Sequence, residues 1–134
     1  MSAKGKKTIL VSGNDPEIFL RQLAVNLART GMSVVIGGCG LDDLTYDIES
    51  IEPAVVFIWN TYDENGIVRF LWKWKYSQVR PFFIITTSDR RVYDILCDSI
   101  PGNAHVILEP ERMGYIRELI IRAVNGELSF GNYE

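Results

Sequence analysis

Six consecutive apolar residues, Ala54-Val55-Val56-Phe57-Ile58-Trp59, constrain this chain more than any other feature. Successive side chains of a strand point to opposite faces, so a strand on a sheet surface alternates apolar with polar residues. This run has no polar member, and both of its faces are therefore expected to be covered. Strands covered on both faces belong to parallel sheets flanked by helices.

The rest of the chain agrees with that expectation. Thr8-Ile9-Leu10-Val11 reads as a first strand. Asp15-Pro16-Glu17 reads as a helix start, with an N-cap aspartate, a proline at the first helical position and an acid near the positive end of the helix dipole. Phe19, Leu20, Leu23, Leu27 and Ala28 follow at helical spacing, and Gly31 is placed to end that helix. Ser33 to Ile36 is the second strand. Leu41, Leu44, Ile48 and Ile51 form one face of a second helix, closed before Pro53. Three further pairs follow: the Ala54 strand with a helix from about Asn65 to Tyr76, Phe82 to Ile85 with Asp89 to Ile100, and His105 to Leu108 with Glu111 to Asn125. Five βα units joined by short connections predict a doubly wound, five-stranded parallel sheet of three layers. One domain over residues 1–134 is expected, with loosely held ends at 1–6 and 127–134.

Composition narrows the function classes. Apolar residues make up 47% of the 134 and charged residues 23%, enough for a substantial core without metal or disulfides. The net charge of −3 argues against a nucleic-acid partner. No apolar stretch is long enough for a membrane helix. Cys39 and Cys97 lie far apart with one histidine in the whole chain. That pattern suits buried free thiols in a reducing, cytoplasmic compartment rather than a metal site.

Candidate sites are sought at the carboxyl ends of the strands, where this fold class gathers function. Gly37-Gly38-Cys39-Gly40 could cradle a phosphate through backbone N–H groups, but it lacks dinucleotide spacing, and Asp42 and Asp43 would oppose an anion. A plain turn is the simpler reading. His105 has no candidate partner nearby in sequence. Asp63 and Glu64 read as a solvated loop.

The segment Ala54 to Gly66 resembles the part of two-component receiver domains that carries the phosphorylated aspartate, and the resemblance extends over about Thr8 to Val124. It implies a flavodoxin-like (CheY-like) fold, (βα)5. In that family the acceptor sits eight residues before the loop glycine; here that position is Ile58, followed by Trp59-Asn60. The acidic pair that binds magnesium matches Gly13 and Asn14, with Asp15 as the helix cap; a one-residue slip would bring Asp15 to the site instead. The switch hydroxyl matches Thr86. The lysine before proline matches Glu109 of Glu109-Pro110, with the charge reversed, and the switch aromatic matches Val106. The family's Lys-Pro bond is usually cis, so Glu109-Pro110 is expected to be cis. Magnesium requires oxygen ligands and phosphoryl transfer requires the metal and a cation. Losing acceptor, ligands and lysine together points to a degenerate site that is no enzyme and takes no cofactor.

The third helix carries a second signal. Ile67, Phe70, Leu71 and Trp74 share one face, expected to be the core face. Val68, Trp72 and Tyr76 form another stripe beside Arg69 and Lys73, as interface aromatics do. The same stripe also fits a Trp72 ring lying under lysine stems or a neighbouring loop. On the last helix Ile116, Leu119, Ile120 and Ala123 should face inward, leaving Ile121 beside Arg117 as a second candidate contact. Three readings follow: a phosphorylation-independent pseudo-receiver that binds a protein partner, a second copy included; a flavodoxin-like domain for a small ligand or nucleotide; and a receiver whose acid has moved to Asp15 or Asp63.

Overall fold

The computed structural model describes residues 7–13, 17–37, 40–59 and 64–127. Strands and helices alternate strictly: β1 (Thr8–Gly13), α1 (Glu17–Ala28), β2 (Ser33–Ile36), α2 (Leu41–Ile51), β3 (Val55–Trp59), α3 (Glu64–Lys75), β4 (Phe82–Thr87), α4 (Arg90–Ser99), β5 (Ala104–Leu108) and α5 (Met113–Val124). The sheet order is β2-β1-β3-β4-β5, and every neighbouring pair is parallel. This is the flavodoxin-like, doubly wound arrangement expected from the sequence.

The apolar run of β3 explains the layering. Val55 and Phe57 join Ile9, Val11 and Ile84 in one core, roofed by Leu20, Leu23 and Leu27 of α1 and by Ile116, Leu119 and Ile120 of α5. Val56 and Ile58 join Leu10, Phe83 and Ile85 in a second core, roofed by α2, α3 and α4. Each face of β3 thus serves a different helix layer, so neither has room for a polar side chain.

Local signals set most boundaries. Gly31 ends α1 with φ +88° and Gly126 follows α5 with φ +76°, the left-handed geometry that glycine adopts without strain. Asp89 caps α4, accepting N–H bonds from Arg91 at 2.9 Å and Val92 at 3.3 Å. Helix α2 ends before Pro53 as expected, though in a conformation the sequence does not signal, and the start of α5 differs from expectation. Helix α2 closes on Glu52 at φ +53°, an unfavoured conformation for a residue with a Cβ, which the following Pro53 gave no reason to expect. Helix α5 starts at Met113 rather than Glu111, because Glu109, Pro110 and Glu111 form the turn that leaves β5. The proposed α1 cap, Asp15-Pro16, lies outside the described residues.

Candidate functional site

All five strands run the same way, so their carboxyl ends share one edge of the molecule. The reversal of strand order falls at β1, which has β2 on one side and β3 on the other. Ligands of doubly wound sheets bind at such a switch point.

Ile58 sits on this edge, paired with Ser12 of β1 and Ile85 of β4. It is 6% exposed and packs into the core beneath α2, α3 and α4. Gly13 ends β1 opposite Trp59. Thr86 is fully buried in β4, opposite Ile107. Strand alternation puts its side chain on the α1/α5 face with Phe82 and Ile84, opposite to that of Ile58. Glu109 follows β5, two strands from β3, which at about 4.8 Å per strand is roughly 10 Å across the sheet. The site positions inferred from the sequence therefore gather at one edge, but Ile58 and Thr86 do not face one another. Asn14, Asp15 and Asp63 lie outside the described residues.

Glu109 is the one site position here with a charge. Its N–H donates to the Thr87 carbonyl at 2.8 Å. Its Oε1 accepts the Glu111 N–H at 3.2 Å, and its Oε2 is buried without a partner. Burial raises its pKa above the ordinary glutamate range; the Glu111 N–H bond opposes the rise and the Glu111 carboxylate adds to it. Glu109-Pro110 is cis, as expected from the resemblance. Among the described residues no group of three or more His, Cys, Asp or Glu side chains stands close enough to hold a metal ion. A carboxylate that burial drives toward its neutral form, two strands away from Ile58, offers hydrogen bonding and little else.

Two features of this edge escaped the sequence reading. The Trp59 ring stacks on Phe19 of α1, centroids 4.0 Å apart and 18° from parallel, while its buried Nε1 lacks a partner. Ser12, almost fully buried, is the strand neighbour of Ile58. A serine closing an apolar strand was the available signal for the second; nothing local couples Phe19 to Trp59.

The other candidates fare differently. The Gly37 N–H donates to the Val11 carbonyl at 2.8 Å, so the sheet already uses it. A Cβ at Gly37 would stand 2.8 Å from Asp47 Oδ2 and 2.9 Å from Leu10 Cδ1, so the glycine serves close packing there. Gly38 and Cys39 lie outside the described residues, and Cys97, expected to be buried, is exposed on α4. On α3, Trp74 is 2% exposed and Trp72 38%; Tyr76, in the turn that follows, is 80% exposed. The Trp72 Nε1–H donates to the Ser99 carbonyl at 2.7 Å, which ties the ring to the end of α4. Val68 and Ile121 are half-buried against the two cores, so the exposed part of the proposed stripe is aromatic. Arg117 is half-buried on α5.

The fold is that of CheY-like receiver domains. A signal receiver domain of a response regulator from Bermanella marisrubri superposes with a TM-score of 0.72 at 19% identity, covering 90% of this chain and 99% of that one. A CheY-like receiver domain from Methanospirillum hungatei gives 0.69 at 15% identity, over 91% and 96% of the two chains. A response regulator from Thermotoga maritima gives 0.70 at 14%, over 90% and 98%. No protein-family model matches the chain, and no curated protein matches it in sequence. At these identities the likeness is one of fold.

Proposed function

We propose that this chain is a phosphorylation-independent pseudo-receiver, a cytoplasmic protein-interaction module of bacterial signal transduction and not an enzyme. One observation carries the reading: the position that matches the phospho-acceptor is an isoleucine packed into the core. Ile58 has no nucleophilic atom, and its side chain fills space between Ser12 and Ile85 rather than opening on solvent. Glu109 supports it. A cation there would neutralise a phosphoryl group, whereas a carboxylate repels one. With that chemistry gone, output rests on surface contacts. Trp72 and Tyr76 offer exposed aromatic area at the end of α3 and in the turn after it, beside Lys73 and Lys75, and suit a protein partner. No helix among the described residues is long and apolar enough to cross a membrane.

The test is incubation with acetyl phosphate and magnesium, read by intact mass, alongside thermal melting with beryllofluoride. The proposal expects an unchanged mass and an unchanged melting temperature. A stable phosphoryl adduct mapped to Asp15 or Asp63 would replace it with a receiver whose acid has relocated.

A further inference from the structure

The opposite edge of the sheet, where β4 and β5 begin, holds two adjoining hollows. The smaller, about 270 Å³, is lined by Lys75, Arg80, Gly102 and Asn103. The larger, about 660 Å³, shares Lys75 and Gly102 and runs on along Trp72, Tyr93 and Pro101. Together they have the size of a small-molecule site, commonly about 300–1,000 Å³. Among the described residues no acid lines either one, in a chain whose net charge is −3. Among the described residues, neither Lys75 nor Arg80 is paired with a carboxylate.

Asn103 makes this more than a basic surface. It is 9% exposed, and its Nδ2 donates to the Pro81 carbonyl at 3.2 Å. A carbonyl only accepts, so that bond fixes which end of the amide is the nitrogen. The remaining atom, Oδ1, is buried and has no partner. A buried acceptor left unmatched costs its full desolvation, and because Asn103 lines the smaller hollow, a donor on a ligand seated there is what would match it. Trp72 supplies the flat surface. Its bond to Ser99 holds the ring in place, and the Lys75 ammonium lies 5.9 Å from the ring centroid. A planar ring stacked on Trp72 therefore carries any anionic substituent into reach of Lys75.

We propose that this cleft binds a small ligand joining an anionic group to a planar ring with a hydrogen-bond donor, as a nucleoside monophosphate does. Lys75 and Arg80 hold the anion, Trp72 stacks the ring, and Asn103 Oδ1 receives the donor. The cleft lies at the far end of the strands from Ile58 and Glu109, so it stands whether or not the pseudo-receiver reading does.

The probes are AMP, adenosine and inorganic phosphate, titrated by calorimetry and by NMR of the tryptophan indole N–H signals. AMP is expected to bind saturably below roughly 1 mM and to shift the Trp72 indole signal. Adenosine and phosphate alone are each expected to bind at least about tenfold more weakly, because each makes half of the contacts. The double variant Lys75→Gln/Arg80→Gln changes exposed and half-exposed side chains, keeps the fold and should weaken AMP at least about tenfold. Glu109→Gln should leave AMP binding unchanged. The proposal fails if AMP shows no saturable binding in that range, or if phosphate alone binds as tightly. It fails equally if the double variant binds AMP like the parent, or if Glu109→Gln abolishes binding.

Discussion

Trp74→Ala tests how α3 is seated. Trp74 is the largest of the fully buried side chains and meets Phe70 edge-on, with centroids 6.1 Å apart. Truncating a buried tryptophan removes its transfer free energy and leaves a cavity that the sheet beneath cannot fill, at a cost of about 3–5 kcal/mol. A domain of this size has on the order of 5–15 kcal/mol in all. With a melting-temperature shift of roughly 3–5 °C per kcal/mol for this length, the variant should melt about 10–20 °C lower. A second substitution sharpens the test. The Trp74 Nε1 is buried without a partner, a penalty of about 1–3 kcal/mol that a phenylalanine does not carry. Trp74→Phe loses ring area but sheds that penalty, and should fall within about 1 kcal/mol of the parent. Trp72→Ala loses the bond to Ser99 and some packing, about 1–2 kcal/mol. Denaturant unfolding followed by circular dichroism measures all three on one scale. A loss at Trp72 equal to that at Trp74, or a Trp74→Phe variant as damaged as Trp74→Ala, would refute the assignment of the two faces.

Ile58→Asp should not restore phosphoryl transfer, and should lower stability by about 3 kcal/mol or more, since it buries an acid in an apolar core; a mass gain on acetyl phosphate treatment counts against the degenerate-site reading. Glu109 has a folded pKa above its unfolded value, so the folded state holds the proton more tightly and its ionisation opposes folding. That opposition is absent below the ordinary glutamate value of 4.5 and complete once pH has risen past the folded pKa. Glu109→Gln should therefore flatten the pH dependence in this window and raise stability at neutral pH, as urea unfolding at a series of pH values will show. Glu52→Gly should stabilise by about 0.5–1 kcal/mol, because glycine adopts the left-handed φ without strain; a loss on thermal unfolding would show that the Glu52 side chain contributes more than its backbone costs.

The layering was legible because it depends on local periodicity. The unbroken apolar run of β3 implied two covered faces, and Val55 to Ile58 divide between two cores as that requires. Trp74 inward and Trp72 outward followed from helical spacing alone. What stayed hidden depends on residues distant in the chain. The Phe19–Trp59 stack spans 40 positions, and the hollow around Asn103 takes Lys75 from the end of α3, Arg80 from the connection that follows and Gly102 from another. Val68 and Ile121 sit at the margins of their helix faces, where a neighbouring element decides between burial and exposure and spacing cannot. The later start of α5 turns on the geometry of the Glu109–Glu111 turn, which composition does not encode.

The division of β3 between two cores has a consequence for how this chain can change over time. Phe57 and Ile58 are adjacent in sequence, yet one packs under α1 and α5 and the other under α2, α3 and α4. Substitutions in non-touching sites add their energies with little coupling. Drift in the α1/α5 layer therefore leaves the opposite layer its full tolerance for further change, provided the sheet keeps its register. A lineage can remodel one side of the molecule for a new partner while the other continues unaltered, and a double-mutant cycle between Leu23 and Leu71 should show a coupling close to zero.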